Sequence, residues 1–555
     1  MTNFNPFYET TDGYSLAIVA IHLSDGKFTF SNELLKETGR DEFVPGDWGL
    51  VHDKNEVFPL GDLGFRFIAT FFYIVSGNYG LFYLGPALGI LALIIVERFS
   101  TKFFGKYCGF LTLLFLSTNH LMYRNFLNLQ TEGLFLIFFI LGCYFFLSFF
   151  KTTKNTSILF SSIFFVLATL TRISGVIYFP VELAIIGILI LFSFVKKTDV
   201  SKKSLFVQNS LKNNSKIILY AVIPWIIFLM FWFVYNDSFQ GDSLEDQRKD
   251  IQHGEDRKLS SLVSLESKNF ENVKRYSKYL LPYQFPAIYN NLENPLDDEL
   301  SKEWLGLLAF VSVIIMILIS IVFKIKRLEI ITLCLFMLCT IWFYSSVTTD
   351  ARGEIGVPGR YMIPAFTLFY IILSFYIVNL FNWKNKTSVI SGSSKIIKIL
   401  ILSVFITFFS FSIYFIPPIQ AIIYNNFDIK NPIILDKGHP PYHEGLSFND
   451  VILSDNTNVA LEYDAIYFNI HRNDQGLLDD DSIELLNNIL EKDHRIFIFK
   501  QETLKNEKIV LNDLVTNHGF IFKDFSSSFC QLEHKGDDDK KTSDPICLQT
   551  NFKNK

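Results

Sequence analysis

The stretch "LSTNHLMYRNFLNLQTEGLFLIFFILGCYFF", residues 116–146, decides how this chain is read. Its second half is almost uninterrupted hydrocarbon and continues to residue 150. A membrane span needs about 20 mainly apolar residues to cross roughly 30 Å of bilayer core, and 131–150 meets that length. One acid, Glu132, opens the run, and one guanidinium, Arg124, closes the run before it. Ionisable groups at membrane depth are costly and are held for a reason.

The same pattern repeats along the chain. Apolar runs are read at 79–97, 107–123, 131–150, 156–171, 173–195, 216–235, 303–323, 328–347, 360–381 and 395–416. A shorter run, 63–77, follows Pro59 and carries Arg66, which suits a helix lying at the interface. Of the 555 residues half are hydrophobic and 19 % charged, and the charges cluster between the runs. These features predict an α-helical polytopic membrane protein of about 10–11 membrane helices. No basic domain or basic–aromatic stripe points to nucleic acid. Met1 to Thr11 lacks the apolar core of a cleavable signal.

Lysine and arginine set the orientation. Every second connector is basic: Arg98, Lys102 and Lys106; Lys151 and Lys154; Lys196 to Lys216; Lys324, Lys326 and Arg327; Lys384 to Lys398. These are expected on the cytoplasmic side. The alternate connectors, including the acidic 236–302, then face outside, as do 1–78 and the tail. An external start normally follows a span, so either the N-terminus is translocated alone or, the favoured reading, a first membrane helix precedes Met1. The expected organisation is an external segment with interfacial helices over 1–78, a bundle over 79–416, and an extracytoplasmic α/β domain over 425–555. In that tail "DAIYFNI" and "RIFIFK" read as strands, and "SIELLNNILEK" as a helix capped by Ser482 behind a solvated Asp479–Asp481 turn. Cys108, Cys143, Cys334 and Cys339 fall in apolar runs and read as small hydrophobes, while Cys530 and Cys547 can pair if the tail is external.

On this topology several charged groups share the outer face: Asp12 in "TTDGYSLAIVAIHLSDG", Lys54 in "HDKNEVFPLG", Arg124, Glu132, Arg172 in "LTRISG" and Arg360 in "GRYMIPA". Guanidiniums grip phosphate oxygens in pairs, and a carboxylate can accept a proton from a hydroxyl. Each residue also has a plain structural reading. Asp12 suits a helix N-cap and Glu132 a helix dipole. The three arginines suit headgroup anchors, and Lys54 a solvated loop. Glu182, roughly 15 Å into its span, reads as hydrogen-bonded inside the bundle. His52 and His120 have no metal-ligand spacing and read as structural.

In order and topology, residues 1–416 resemble the GT-C superfamily of polyprenol-phosphate-sugar glycosyltransferases, in the branch of protein O-mannosyltransferases and the lipid A aminoarabinose transferase. The resemblance places Asp12 at the first carboxylate of an acidic motif, the catalytic base, with Gly13 where the second acid usually stands. "NEVFPLGDLGFRFIATFFYIVSGNYG" matches a Pro-containing interfacial helix, with Lys54 nearest to a phosphate-contacting lysine. Glu132 fits the second acidic position, "TRISG" a family turn, and "GRYMIP" the start of a late span whose arginine lies near the carrier phosphate. The resemblance implies catalytic Asp12 and Glu132, and donor-phosphate binding by Lys54, Arg172, Arg360 and Arg124. It implies a polyprenyl-phosphate-sugar donor and a protein, lipid or glycan acceptor. No WWD motif is present, which argues against whole-glycan transfer to Asn. No cofactor is called for, and the missing Asp-x-Asp leaves a divalent metal an open option. The rival readings are a secondary transporter built on Glu182 and the outer arginines, and a non-enzymatic scaffold displaying the tail.

Overall fold

The computed structural model describes residues 11–26, 30–31, 50–53, 56–59, 63–119, 122, 125–126, 129–152, 154–195, 214–239, 311, 313–318, 320–321, 326–347, 360–382, 451–453, 466–468, 480–491, 495–499, 514, 517–524 and 529–534. The expected span 395–416, the connector 236–302, Lys54, Arg124, His120 and Cys547 lie outside the described residues.

The protein is an α-helical membrane-type bundle with a small α/β unit toward its C-terminus. Helix α1, Thr11–Ser24, buries Leu16, Ala17, Val19 and Ala20. A three-stranded antiparallel sheet follows: β1, Phe30–Ser31, and β2, Leu50–Asp53, both pair with β3, Glu56–Pro59. Then come α2, Leu63–Ser76, α3, Asn78–Phe104, α4, Lys106–Ser117, α5, Glu132–Thr152, and α6, Asn155–Thr171. A 3₁₀ turn, Ile173–Ile177, leads into α7, Tyr178–Val195. Helices α8, Asn214–Phe239, α9, Arg327–Val347, and α10, Ile363–Asn382, complete the described bundle, with further helical residues between 311 and 321.

Among the described helices, three contain segments long and apolar enough to cross a bilayer: Tyr79–Phe104 in α3, Glu132–Thr152 in α5 and Lys216–Tyr235 in α8. The others are shorter apolar helices. Two expected spans differ in detail. The helix expected over 107–123 stops at Ser117, so its 12 residues rise about 18 Å. The run 173–195 is not one helix: its first turn is 3₁₀, and Pro180 then falls in the opening turn of α7, where its missing N–H leaves no gap.

Helix α2 runs over the predicted residues, and its Arg66 is buried within the protein. The exposed face of α2 is apolar: Phe67, Phe71, Ile74 and Val75. Gly77, at φ 58°, turns the chain sharply from α2 into α3, a backbone state that favours glycine. The start of α2 abuts the end of α6, because a Cβ on Gly64 would lie only 3.1–3.2 Å from the backbone of Leu170 and Thr171.

Aromatic packing forms the centre. Tyr178 lies 4.6 Å from Phe139, 5.5 Å from Phe165 and 5.9 Å from Phe336, which ties α7 to α5, α6 and α9. Offset and edge-on ring pairs add about 0.5–1.5 kcal/mol each beyond their area burial. Helix α3 is linked to α4 and α10 through a polar node: Cys108 Sγ lies 3.2 Å from Ser100 Oγ and donates to the Ile371 carbonyl at 3.6 Å. All four cysteines in apolar runs are free thiols, and three of them are buried.

The C-terminal unit is a five-stranded mixed sheet in the order β5-β4-β6-β8-β7. The strands are β4, Val451–Leu453, β5, Ile466–Phe468, β6, Ile496–Phe499, β7, Phe520–Asp524, and β8, Phe529–His534. Strands β4, β5 and β6 are parallel, and α11, Asp480–Glu491, lies between β5 and β6 in the chain. A parallel pairing needs such a crossover. The helix begins at Asp480, so Asp480, Asp481 and Ser482 fall inside its first turn instead of Ser482 capping it; acids there complement the positive end of the helix. Cys530, on β8, is disulfide-bonded.

At Gly142 the Phe165 ring of α6 packs directly on α5: a Cβ there would sit 2.5 Å from that ring. Gly142→Ala should destabilise the bundle by about 1–3 kcal/mol through overpacking. Gly187→Ala should not, because a Cβ at Gly187 meets nothing within 4 Å. Thermal unfolding of the two variants in detergent micelles checks the contrast.

Candidate active site

The charges predicted on one face converge in part. Glu132 is the first residue of α5 and is buried, with relative exposure of 2 %. Arg172 caps the C-terminus of α6 in an extended conformation, φ −156° and ψ 119°. Its backbone is fixed from both sides: its N–H donates to the Ala168 carbonyl at 2.8 Å, and its own carbonyl accepts from Gly175 N–H at 2.9 Å. Gly175 is needed for this turn, since a Cβ there would lie 2.8 Å from the Thr169 backbone nitrogen. Arg360 stands three residues before the start of α10.

Arg172 Nη1 donates to Glu132 Oε1 at 2.5 Å, and Arg360 Nε lies 3.7 Å from the same oxygen. The three residues come from positions 40 and 188 apart, counting 132 to 172 and 172 to 360. Burial works against the Arg172 charge. The Glu132 carboxylate beside it, with Tyr344 and Tyr361, nevertheless holds its pKa above the ordinary guanidinium value. Two largely buried cations thus meet one buried carboxylate. The other carboxylate oxygen, Glu132 Oε2, is buried with no hydrogen-bond partner among the described residues.

Aromatic rings orient the cations. The Arg172 guanidinium lies over the Tyr361 ring at 4.1 Å, and that of Arg360 is 5.1 Å from the same ring. Tyr361 stacks on Tyr344 with centroids 5.1 Å apart and planes within 6°. The Tyr344 hydroxyl donates to Ser174 Oγ at 2.7 Å, which returns the stack to the turn after Arg172. Such a cation–π arrangement is worth more where water is excluded. Beside Glu132, the approach segment buries Asn125, Gln130 and Thr131.

The structure therefore brings together Glu132, Arg172 and Arg360. It places Asp12 within the first turn of α1, one residue after Thr11, and not at the cap; its side chain lies outside what is described. Lys54 and Arg124 are not among the described residues. Sequence reading missed Tyr344 and Tyr361. The signal for Tyr361 was its place next to Arg360, whereas Tyr344 looked like any interfacial aromatic. Among the described residues no three His, Cys, Asp or Glu side chains gather as metal ligands.

No protein-family model matches this chain, and no curated protein matches it by sequence. Among solved structures it is similar to ArnT from Cupriavidus metallidurans bound to undecaprenyl phosphate: TM-score 0.48, 9 % identity, covering 95 % of this chain and 94 % of that one. It is also similar to the oligosaccharyltransferase AglB from Archaeoglobus fulgidus, in complex with an inhibitory peptide and a dolichol-phosphate: TM-score 0.45, 11 % identity, 94 % and 70 % coverage. Likenesses of this degree carry no argument about chemistry, which rests on the cluster itself.

Removing Glu132 leaves two buried cations without their counter-charge. Glu132→Ala should cost about 3–5 kcal/mol of stability. Arg360→Ala, which keeps the Arg172–Glu132 pair, should cost distinctly less. Urea unfolding in mixed micelles compares them, and equal losses would contradict the shared-oxygen geometry.

Proposed function

We propose that this protein is an integral-membrane inverting glycosyltransferase. It moves a sugar from a polyprenyl-phosphate carrier to an acceptor hydroxyl on the extracytoplasmic face. The observation that carries this reading is the convergence of Arg172 and Arg360, from distant parts of the chain, on one buried carboxylate.

The physical case rests on charge. A polyprenyl-phosphate-sugar is a phosphodiester with one negative charge. As the bond to the anomeric carbon breaks, the departing phosphate gains a second. A site with surplus positive charge favours the later state over the earlier one, which is what lowers a barrier. Glu132 is one carboxylate set between two guanidiniums. The Tyr344–Tyr361 stack fixes their planes, so little reorganisation is needed when the charge develops.

In this mechanism Asp12 removes the proton from the acceptor hydroxyl, which attacks the anomeric carbon on the face away from the phosphate and inverts it. Arg172 and Arg360 take the developing phosphate charge, assisted by Lys54 and Arg124. Glu132 holds the two guanidiniums in register, and its second oxygen remains for a hydroxyl of the substrate. Lysine does not replace a stacked, forked guanidinium.

Sugar transfer from a polyprenyl-phosphate-sugar, assayed in membranes, tests the reading. Arg360→Ala and Arg172→Lys should each lower the rate by about 10²–10³-fold. Asp12→Asn should abolish transfer with the protein still present at normal levels. A normal rate for Asp12→Asn removes the base assignment, and normal rates for both arginine variants remove the glycosyltransferase reading.

A further inference from the structure

At the far end of α5 from Glu132, three lysines from three chain segments come together. Lys102 belongs to the last turn of α3, Lys151 to the last turn of α5, and Lys326 directly precedes α9. The 21-residue α5 puts this end about 28 Å from the Glu132 site along the helix axis. Helix α9 agrees, with Glu329 at this end and Tyr344 at the other.

The contacts are specific. Lys151 Nζ sits 4.4 Å from the centroid of the Phe103 ring. Lys102 Nζ lies 4.3 Å from the Tyr144 centroid and hydrogen-bonds the Tyr144 hydroxyl. Those two rings pack edge-to-face, 5.7 Å apart. Lys326, at the rarely populated φ of 45°, reaches to 3.7 Å from Glu329 Oε1. The edge-on ring pair Phe146–Phe336, with centroids 5.8 Å apart, holds α9 against α5 on the Lys326 side of the bundle. Among the described residues, three ammoniums and one carboxylate leave two positive charges in excess (3 − 1 = 2), and the nearby Glu97 carboxylate is already shared by Arg98 and Thr101.

Basic residues at one end orient a membrane chain without needing to touch each other. Here an aromatic pair gathers two of them against their repulsion, and a third arrives from another connector. Ile94, Arg98 and Lys102 share one face of α3 at four-residue spacing, and that face continues as exposed apolar surface through Ile90 and Tyr83. A cationic head above a greasy flank matches a phospholipid in shape and charge.

We propose that Lys102, Lys151 and Lys326 bind the phosphate headgroup of an anionic phospholipid in the leaflet away from the Glu132 site, its acyl chains lying along the exposed row of α3. Basic pockets between membrane helices recognise headgroups in this way. Free phosphate offers the same anion without chains, and the apolar row selects the lipid over it.

The test uses the full-length protein in non-ionic detergent, with lipid adducts counted by native mass spectrometry. The probes are phosphatidylglycerol, phosphatidylcholine with the same chains, and inorganic phosphate. Phosphatidylglycerol should bind about tenfold or more tightly than phosphatidylcholine. The triple variant Lys102→Gln, Lys151→Gln and Lys326→Gln should lose about a hundredfold in affinity, one increment per charge. The corresponding triple Arg variant should keep binding. Should the Gln triple not accumulate, Lys102→Gln alone, at an exposed position, should weaken binding by about fivefold. Equal binding of the two lipids, unchanged binding in the Gln variants, or phosphate binding as tight as the lipid would overturn the proposal.

Discussion

Two guanidiniums and one carboxylate share a single oxygen at the head of α5, and the upper half of the bundle is arranged around that contact. A buried cation is tolerated only when paired and held. Arg172 is held by a backbone fixed on both sides and by a turn that only glycine permits at position 175. Arg360 is held by its neighbour Tyr361, to whose hydroxyl it donates at 3.3 Å. The helix ends that meet here, those of α5, α6, α9 and α10, are thereby fixed relative to one another. The aromatic centre around Tyr178 lies below and carries the remaining packing.

Much of this was legible because charge is conspicuous in apolar sequence. Glu132, Arg172 and Arg360 each sit at the boundary of a run, so hydropathy alone assigns them a depth and, with the lysine bias, a side. Their convergence is a tertiary fact, and only the order of the runs hinted at it. Tyr344 and Tyr361 were hidden by abundance: in a chain with 60 Phe and 24 Tyr, an aromatic at a membrane boundary carries almost no information. Gly142 and Gly175 were unreadable for another reason. Whether a glycine is needed depends on what approaches it from elsewhere in the chain.

The misplacements have local causes. The helix expected to 123 ends at Ser117, where Thr118 Oγ1 donates back to the Leu114 carbonyl and Asn119 Oδ1 accepts from the Met122 N–H of the next segment. The run from 173 opens as a 3₁₀ turn because Arg172 is extended and Gly175 must lie against Thr169. Arg66, conspicuous in a short apolar run, is turned inward by α2, and the face left outside is Phe67, Phe71, Ile74 and Val75. The basic connectors were read correctly as charged, yet nothing in linear sequence says that three of them meet.

The apolar outer face of α2 bears on traffic to the charged site. The beginning of this helix rests against the very turn of α6 that precedes Arg172, while its outer surface is fit only for hydrocarbon. For the lipid-borne donor proposed above, this face gives a route to the guanidiniums in the plane of the bilayer that crosses no water. Its encounter rate would follow two-dimensional diffusion and carrier density in one leaflet, and dilution of the surrounding aqueous phase would leave that rate untouched.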